Sequence, residues 1–327
     1  MRHVPRARAR WGVSVSRLCS WFRPSMGLVT IVLVGFVLVA CASDGNISAA
    51  DRVLADSGGD RIVLSDEIDR IVSLAPSGTE ILFAIGAGGL VVGTDDFSNY
   101  PPEAAKIERV GSLTPDIERV ISLAPDLVVA AFITSPDDIE KLRSAGISVW
   151  VVDSVDVRGV SDAIRGLGAA VGRAQAADEV ASSLDAHIDR VVGIIAQAET
   201  RPRVFYEIDA SDPTKPFTVG PGNFVDDLLT LAGGENVFGD APTPFLQVGL
   251  EDVLARDPDV IVLADAPFGT SAASVRARTG WDVLTAVKAG RMLEVSEELS
   301  DRMLRPGPRI GQALEALARF LHPDLFE

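Results

Sequence analysis

From Arg61 onward, short runs of apolar residues alternate with segments in which apolar positions recur at helical spacing. Ile71-Val72-Ser73-Leu74, Leu127-Val128-Val129-Ala130 and Val149-Trp150-Val151-Val152 are the runs of the first half. The second half carries Arg203–Ile208, Val260-Ile261-Val262-Leu263 and Met292–Val295, with helices expected over Phe224–Leu231 and Ile310–Phe320. A strand that is apolar at successive positions is buried on both faces, so such strands imply parallel sheets covered by helices on either side. Between the halves, Ala174–Glu199 contains no proline and places Val180, Leu184, Ile188, Val191, Val192 and Ile195 mostly three or four apart. That spacing predicts a single long helix, a rod of about 39 Å at 1.5 Å per residue, stopped by Thr200-Arg201-Pro202. The fold class expected is α/β, with two lobes around central parallel sheets joined by one long rigid α-helix.

The N-terminal segment follows a different pattern. Six arginines and no acid lie in residues 1–40, and Met26–Ala42 is apolar apart from small residues and Thr30. The run is short for a membrane span, which needs about 20 residues, and suits the apolar region of a signal peptide. It ends in Leu38-Val39-Ala40-Cys41, which resembles a bacterial lipobox, so Cys41 is the expected lipidation site. The expected divisions are a signal peptide over 1–40, a lipidated flexible tether over 41–60, an N-terminal lobe over 61–173, the connecting helix over 174–200 and a C-terminal lobe over 201–327. Cys19 would leave with the signal, which excludes disulfides, thiolate catalysis and cysteine-built zinc sites in the mature chain. The localisation expected is extracytoplasmic, on the cell membrane through the lipid anchor, as a monomer.

Charge narrows the partners. With those six arginines removed, 24 basic residues face 46 acidic ones, a balance of about −22. A body this acidic repels phosphate backbones, so nucleic acid is not an expected partner. The chain holds no Gly-Lys pair for a Walker loop, no G-x-S-x-G and no H-E-x-x-H. Ile85-Gly86-Ala87-Gly88-Gly89-Leu90-Val91 lacks the third glycine of a dinucleotide motif and reads as a helix end. Ser77 and Glu80 have capping-box spacing. His187 falls within the long helix, as a surface or packing residue, and no metal site is expected. Asp95-Asp96 and Asp137-Asp138 read as solvated loop charge.

The two halves share a short pattern. Asp116-Ile117-Glu118-Arg119-Val120 precedes Ala124-Pro125-Asp126-Leu127, and Gly249-Leu250-Glu251-Asp252-Val253 precedes Asp257-Pro258-Asp259-Val260. In each, a glutamate lies seven residues before a Pro-Asp that opens a buried strand. This is the mark of two related lobes.

Several ordered motifs carry a resemblance. Arg70–Glu80, Val92-Gly93-Thr94-Asp95, Asn99-Tyr100-Pro101-Pro102-Glu103, Pro125–Val129, Gly233-Gly234-Glu235-Asn236 and Arg305-Pro306-Gly307-Pro308-Arg309-Ile310 resemble the cobalamin and ferric-siderophore class of ABC transporter substrate-binding proteins, nearest its cobalamin-binding branch. The resemblance implies two Rossmann-like lobes, a ligand held between them, no catalysis and no cofactor of the protein's own. It implies an importer permease with its ATPase as partner, docked through Glu118 and Glu251. It places Phe97 and Phe245 as rings flanking a metal-chelate ligand, and Asp301 and Arg305 as its polar contacts. Leu113 and Ala131 stand near positions where relatives carry tryptophan. The ligand expected is cobalamin or a related corrinoid, with a ferric siderophore or haem as the alternative in the same class. A non-transport enzyme on a two-lobed scaffold and an adhesive lipoprotein are the readings from other classes.

Overall fold

The computed structural model describes residues 52–326 except positions 66 and 155; the signal segment and Cys41 lie outside the described residues. The first elements form a hairpin, β1 (Arg52–Ala55) with β2 (Arg61–Leu64), paired antiparallel. This corrects the expected tether, because residues 52–60 belong to the folded body. The hairpin lies against strand β6 (Ser148–Val152): Asp56 accepts from the Val151 amide at 3.1 Å, and the Ser148 hydroxyl donates to the Val63 carbonyl at 2.7 Å. Ile62 and Leu64 point into the main core.

The N-terminal lobe continues with β3 (Ile71–Ser73), α1 (Pro76–Ala84), β4 (Val91–Thr94), α2 (Ile117–Ser122), β5 (Leu127–Ala131), α3 (Pro136–Ser144), β6 (Ser148–Val152) and α4 (Gly159–Ala170). Its strands are parallel in the order β4-β3-β5-β6. Alternate residues enter different cores, as the pleat requires. Ile71, Leu127 and Val129 join one apolar cluster, while Val72, Val128 and Ala130 join another on the opposite face.

Helix α5 (Ala174–Ile195) is the predicted rod, 22 residues long, or about 33 Å. It stops four residues before Glu199 because Gln197 and Ala198 turn back onto Ile194 and Ile195. One face packs on α4 and another on α11 (Ile310–Leu321), the last α-helix of the described residues, so α5 ties both lobes into one apolar core.

The C-terminal lobe runs β7 (Arg203–Asp209), β8 (Phe217–Val219), α6 (Phe224–Leu231), β9 (Glu235–Asn236), β10 (Phe245–Gln247), α7 (Leu250–Arg256), β11 (Val260–Leu263), α8 (Ala272–Arg276), α9 (Thr285–Ala289), β12 (Met292–Glu294), α10 (Glu297–Leu304) and α11 (Ile310–Leu321). Strands β7, β11 and β12 are parallel, but β8 runs antiparallel to both β7 and β10. This sheet is therefore mixed at one side, where the expectation was parallel. Inside it, Arg278 donates from both terminal nitrogens to Glu207 and lies 4.6 Å from the Trp281 ring centre. Burial pushes the Glu207 carboxyl up.

The short repeat read from sequence is a structural repeat. Asp126 accepts from the Arg70 amide, and its own amide donates to the Arg70 carbonyl. Asp259 makes the same two bonds with Arg203. Each is preceded by a proline and then by a residue at positive φ, Ala124 at 44° and Asp257 at 37°. Strands β5 and β11 are thus equivalent strands of the two sheets, each one in from an edge.

Candidate functional site

Loops at the carboxyl ends of parallel strands face the crevice of an open α/β sheet. In the N-terminal lobe these are the turn from β3 into α1, the Asp95–Tyr100 segment after β4 and Phe132-Ile133-Thr134 after β5. Together with Leu304, Arg305 and Pro306 they line a cavity of about 170 Å³. The walls are mainly apolar: Leu74, Phe97, Leu113, Phe132, Ile133 and Leu304. Five of these six are exposed, Leu74 being the exception. Since small-molecule pockets usually hold roughly 300–1,000 Å³, a broad ligand would lie across this cavity rather than inside it.

One side of the cavity is closed by a charged clasp between lobes. Glu80, on α1, accepts from Arg309 Nε at 2.8 Å, Arg309 Nη2 at 2.5 Å and Arg305 Nη1 at 3.3 Å. The Glu80 side chain is 2% exposed and both arginines are 11% exposed. The Arg309 guanidinium also covers the Tyr100 ring at 3.8 Å. This corrects the capping-box reading of Ser77 and Glu80. Helix α1 begins at Pro76 with Ala75 as its uncapped N-cap residue, and two buried guanidinium groups hold the carboxylate more strongly than one backbone amide could. A second link between lobes joins the Val157 amide to Asp227 at 2.8 Å.

The expected site residues separate into groups. Phe97 and Arg305 line the cavity; Phe245 and Asp301 do not. Phe245 is exposed at the start of edge strand β10, opposite Val219. Asp301 lies one helical turn before Arg305 and pairs with it at 2.7 Å. Arg305 further donates to Asn99 Oδ1 at 2.7 Å and the Phe97 carbonyl at 3.2 Å. Both terminal nitrogens of Arg305 are therefore engaged by protein acceptors. Glu118 and Glu251 are both exposed in the first turns of α2 and α7. Neither caps its helix: Asp116 caps α2, and the Asp252 carboxylate accepts from the Gly249 amide at α7.

Asp95 corrects another expectation. It is not solvated loop charge but 2% exposed, accepting from the Ser98 hydroxyl at 2.5 Å and the Phe97 amide at 2.7 Å. Burial raises its pKa above the usual carboxylate value, against the opposing pull of Ser98, the Phe97 amide and Arg109. Asp138 is also buried, and pairs with Lys141. A raised folded-state pKa means that the native protein holds the proton more tightly than the unfolded chain. The Asp95 contribution to stability is thus complete below its unfolded pKa and is lost as pH rises through the folded value. Asp95→Asn is expected to gain stability relative to the wild type between pH 4 and pH 7, read as denaturation midpoints at both. An equal difference at the two pH values would contradict this.

Neither histidine of the described residues reaches the cleft. His187 bonds Glu315 at 2.8 Å, and His322 is buried against the Gly233 carbonyl at 3.1 Å. Among the described residues no three His, Cys, Asp or Glu side chains are grouped to hold a metal ion, and no helix is long and apolar enough to cross a membrane.

Two α/β lobes, one connecting helix and an apolar cavity at the strand ends are the frame in which the comparisons with known proteins stand. The family model described as "Periplasmic binding protein" matches residues 71–299. The chain belongs to the periplasmic binding protein family. Within this family it is 34% identical over 279 residues to the uncharacterized ABC transporter substrate-binding lipoprotein YvrC of Bacillus subtilis, covering 83% of this chain and 86% of that one. It is 30% identical over 259 residues to a vitamin B12-binding protein of Vibrio cholerae, covering 77% and 89%. The crystal structure of the periplasmic vitamin B12 binding protein BtuF of Vibrio cholerae superposes with a TM-score of 0.68 at 27% identity, over 80% of this chain and 99% of that one. The periplasmic heme-binding protein RhuT of Roseiflexus sp. RS-1 superposes equally well, with a TM-score of 0.70 at 27% identity over 79% and 99%. The binding-protein fold of this chain is thereby shared by receptors for different macrocycles.

Proposed function

We propose that this protein is the extracytoplasmic, lipid-anchored receptor of an ABC importer and carries cobalamin or a related corrinoid between its lobes. The observation that supports the ligand is the cavity wall: exposed aromatic and aliphatic side chains, with its one arginine already engaged by protein acceptors. A corrin has broad apolar faces and an amide fringe, so it asks for flat hydrophobic contact and few charges. A siderophore rich in carboxylates or catecholates asks for several free cations, because its oxygens need charge-assisted donors.

Haem is the second reading, favoured by the likeness to RhuT. Its iron takes an axial ligand from the protein. Both described histidines are engaged away from the cleft and the ring of Tyr100 is covered by the Arg309 guanidinium, whereas the cobalt of cobalamin brings its own lower ligand. The corrinoid reading therefore asks less of this site.

Under this reading Phe97 covers one side of the ligand and Phe245 its periphery, while Asp301 and Arg305 meet its polar edge after exchanging a bond within the clasp. Glu118 and Glu251 dock the permease, and Cys41 carries the lipid. Calorimetry with cyanocobalamin, cobinamide, haem and ferric siderophores tests the ligand. Tight binding of a ferric siderophore with no heat from corrinoids at tens of micromolar would overturn the assignment. Phe245→Ala is expected to weaken cobalamin binding by about 1–3 kcal/mol. Its melting temperature should hold, because Phe245 is 56% exposed.

A further inference from the structure

Phe268 is 88% exposed, the highest value among the large apolar side chains of the described residues. A single exposed ring is ordinary on a protein surface; the turn beneath this one is not loose. The segment Ala266–Phe268 leaves β11 as one turn of 3-10 helix, in which the Phe268 amide donates to the Asp265 carbonyl at 2.9 Å. Gly269 closes the turn at φ 108°, where a side chain would be strained. Asp265, 5% exposed, fixes the turn to its surroundings by accepting from the Ala210 amide at 3.0 Å and the Thr270 hydroxyl at 2.7 Å.

Two further observations give this ring a place. The turn packs against α10, the helix that supplies Leu304 to the cavity and leads into Arg305. Its parent strand β11 is also the structural equivalent of β5, through the matched Asp126 and Asp259 bonds. Strand β5 ends directly in Phe132, itself 64% exposed and part of the cavity wall. Phe132 is the first residue past β5 and Phe268 the fifth past β11, so each lobe presents an exposed phenylalanine in the loop that leaves the matching strand.

From this we infer that Phe268 is a specificity-determining residue of the ligand site, set in the loop equivalent to that of Phe132, and that the two rings cover opposite sides of a flat macrocycle. The inference rests on the corrinoid reading and deepens it. A ring already held on a fixed turn loses little freedom on binding, which favours affinity.

The test compares wild type, Phe268→Ala and Phe268→Trp in calorimetry with cyanocobalamin, in Trp fluorescence and in uptake. An exposed ring supports nothing in the fold, so melting temperatures should agree. Phe268→Ala should bind roughly tenfold or more weakly, on the scale of an aromatic contact at a binding site. Phe268→Trp should keep its affinity, and its added emission should fall on saturation with ligand, against the background of the buried Trp150 and Trp281. Wild-type affinity in Phe268→Ala, or added emission in Phe268→Trp that ignores the ligand, overturns the inference. Lost uptake with unchanged affinity also overturns it and assigns the ring to the importer. A wild type that binds haem but no corrinoid defeats the functional reading alone; the same variants measured with haem then decide the role of Phe268.

Discussion

Glu80→Ala is expected to lose about 3–5 kcal/mol of folding stability, the scale for removing one partner of a buried ion pair. The size of the effect follows from what remains. Arg305 keeps Asp301, Asn99 and the Phe97 carbonyl. Arg309 keeps the face of Tyr100, but both of its hydrogen bonds to a carboxylate are gone. An 11%-exposed guanidinium is then left without its counter-charge, and desolvation of that group is the main cost. Glu80→Gln preserves the shape but turns an amide NH2 toward a cation, so it should rescue only part of the loss. The exposed pair Arg158–Asp189, with side chains 51% and 64% exposed, gives the comparison: Arg158→Ala should cost less than about 1 kcal/mol. Urea denaturation at pH 7 measures all three. A loss in Glu80→Ala no larger than in Arg158→Ala would mean that the clasp does not hold the lobes.

The same residue shows where sequence reading stops. Ser77 and Glu80 carry a capping-box spacing, a local signal with a local explanation. The actual partners of Glu80 lie more than 220 positions away, and no spacing rule links them. The burial of Asp95 escapes a local reading for a similar reason. Its neighbours along the chain are polar, and its burial comes from packing against Ser98 and the Arg109 segment. The β1–β2 hairpin escaped because Arg52-Val53-Leu54-Ala55 is short and follows a polar stretch; its bonds to Ser148 and Val151 on β6 are tertiary.

The central strands were legible because burial on both faces leaves little choice of residue. Val260–Leu263 is apolar throughout and forms β11 with those limits. Helix α5 was legible because its apolar positions keep helical spacing for the length of the rod, and Leu184, Ile188 and Val191 are buried as that spacing requires. The two-lobed repeat was legible in outline from two glutamates and two Pro-Asp steps. The positive φ at Ala124 and Asp257 was not, since neither is glycine. Of the cavity wall, Phe97 and Arg305 are residues that the resemblance names. Phe132 and Ile133 of the cavity wall are not among them, although their position at the carboxyl end of β5 is available as a signal.

The largest functional effect is expected from Glu118→Ala combined with Glu251→Ala, which should abolish uptake while leaving ligand affinity within about twofold, well under the tenfold that 1.4 kcal/mol represents. Both carboxylates are exposed at equivalent places on the two lobes, before β5 and β11, and the helices that bear them are capped by Asp116 and Asp252 instead. Their removal therefore takes away little beyond a favourable interaction with the helix dipole, typically about 0.3–1 kcal/mol at an exposed site. A two-fold arrangement of acids suits a partner with basic groups on two related subunits. Charges at the rim of an interface act mainly on association rate and partner choice, and are screened by salt. Each single variant should accordingly slow uptake in a salt-dependent way, and the pair should stop it. Uptake assays at two ionic strengths, calorimetry with ligand and a melting curve on the same preparations separate the outcomes. Normal transport by the double variant would remove these residues from docking. A lowered melting temperature by more than the dipole term allows would return them to a structural role in α2 and α7.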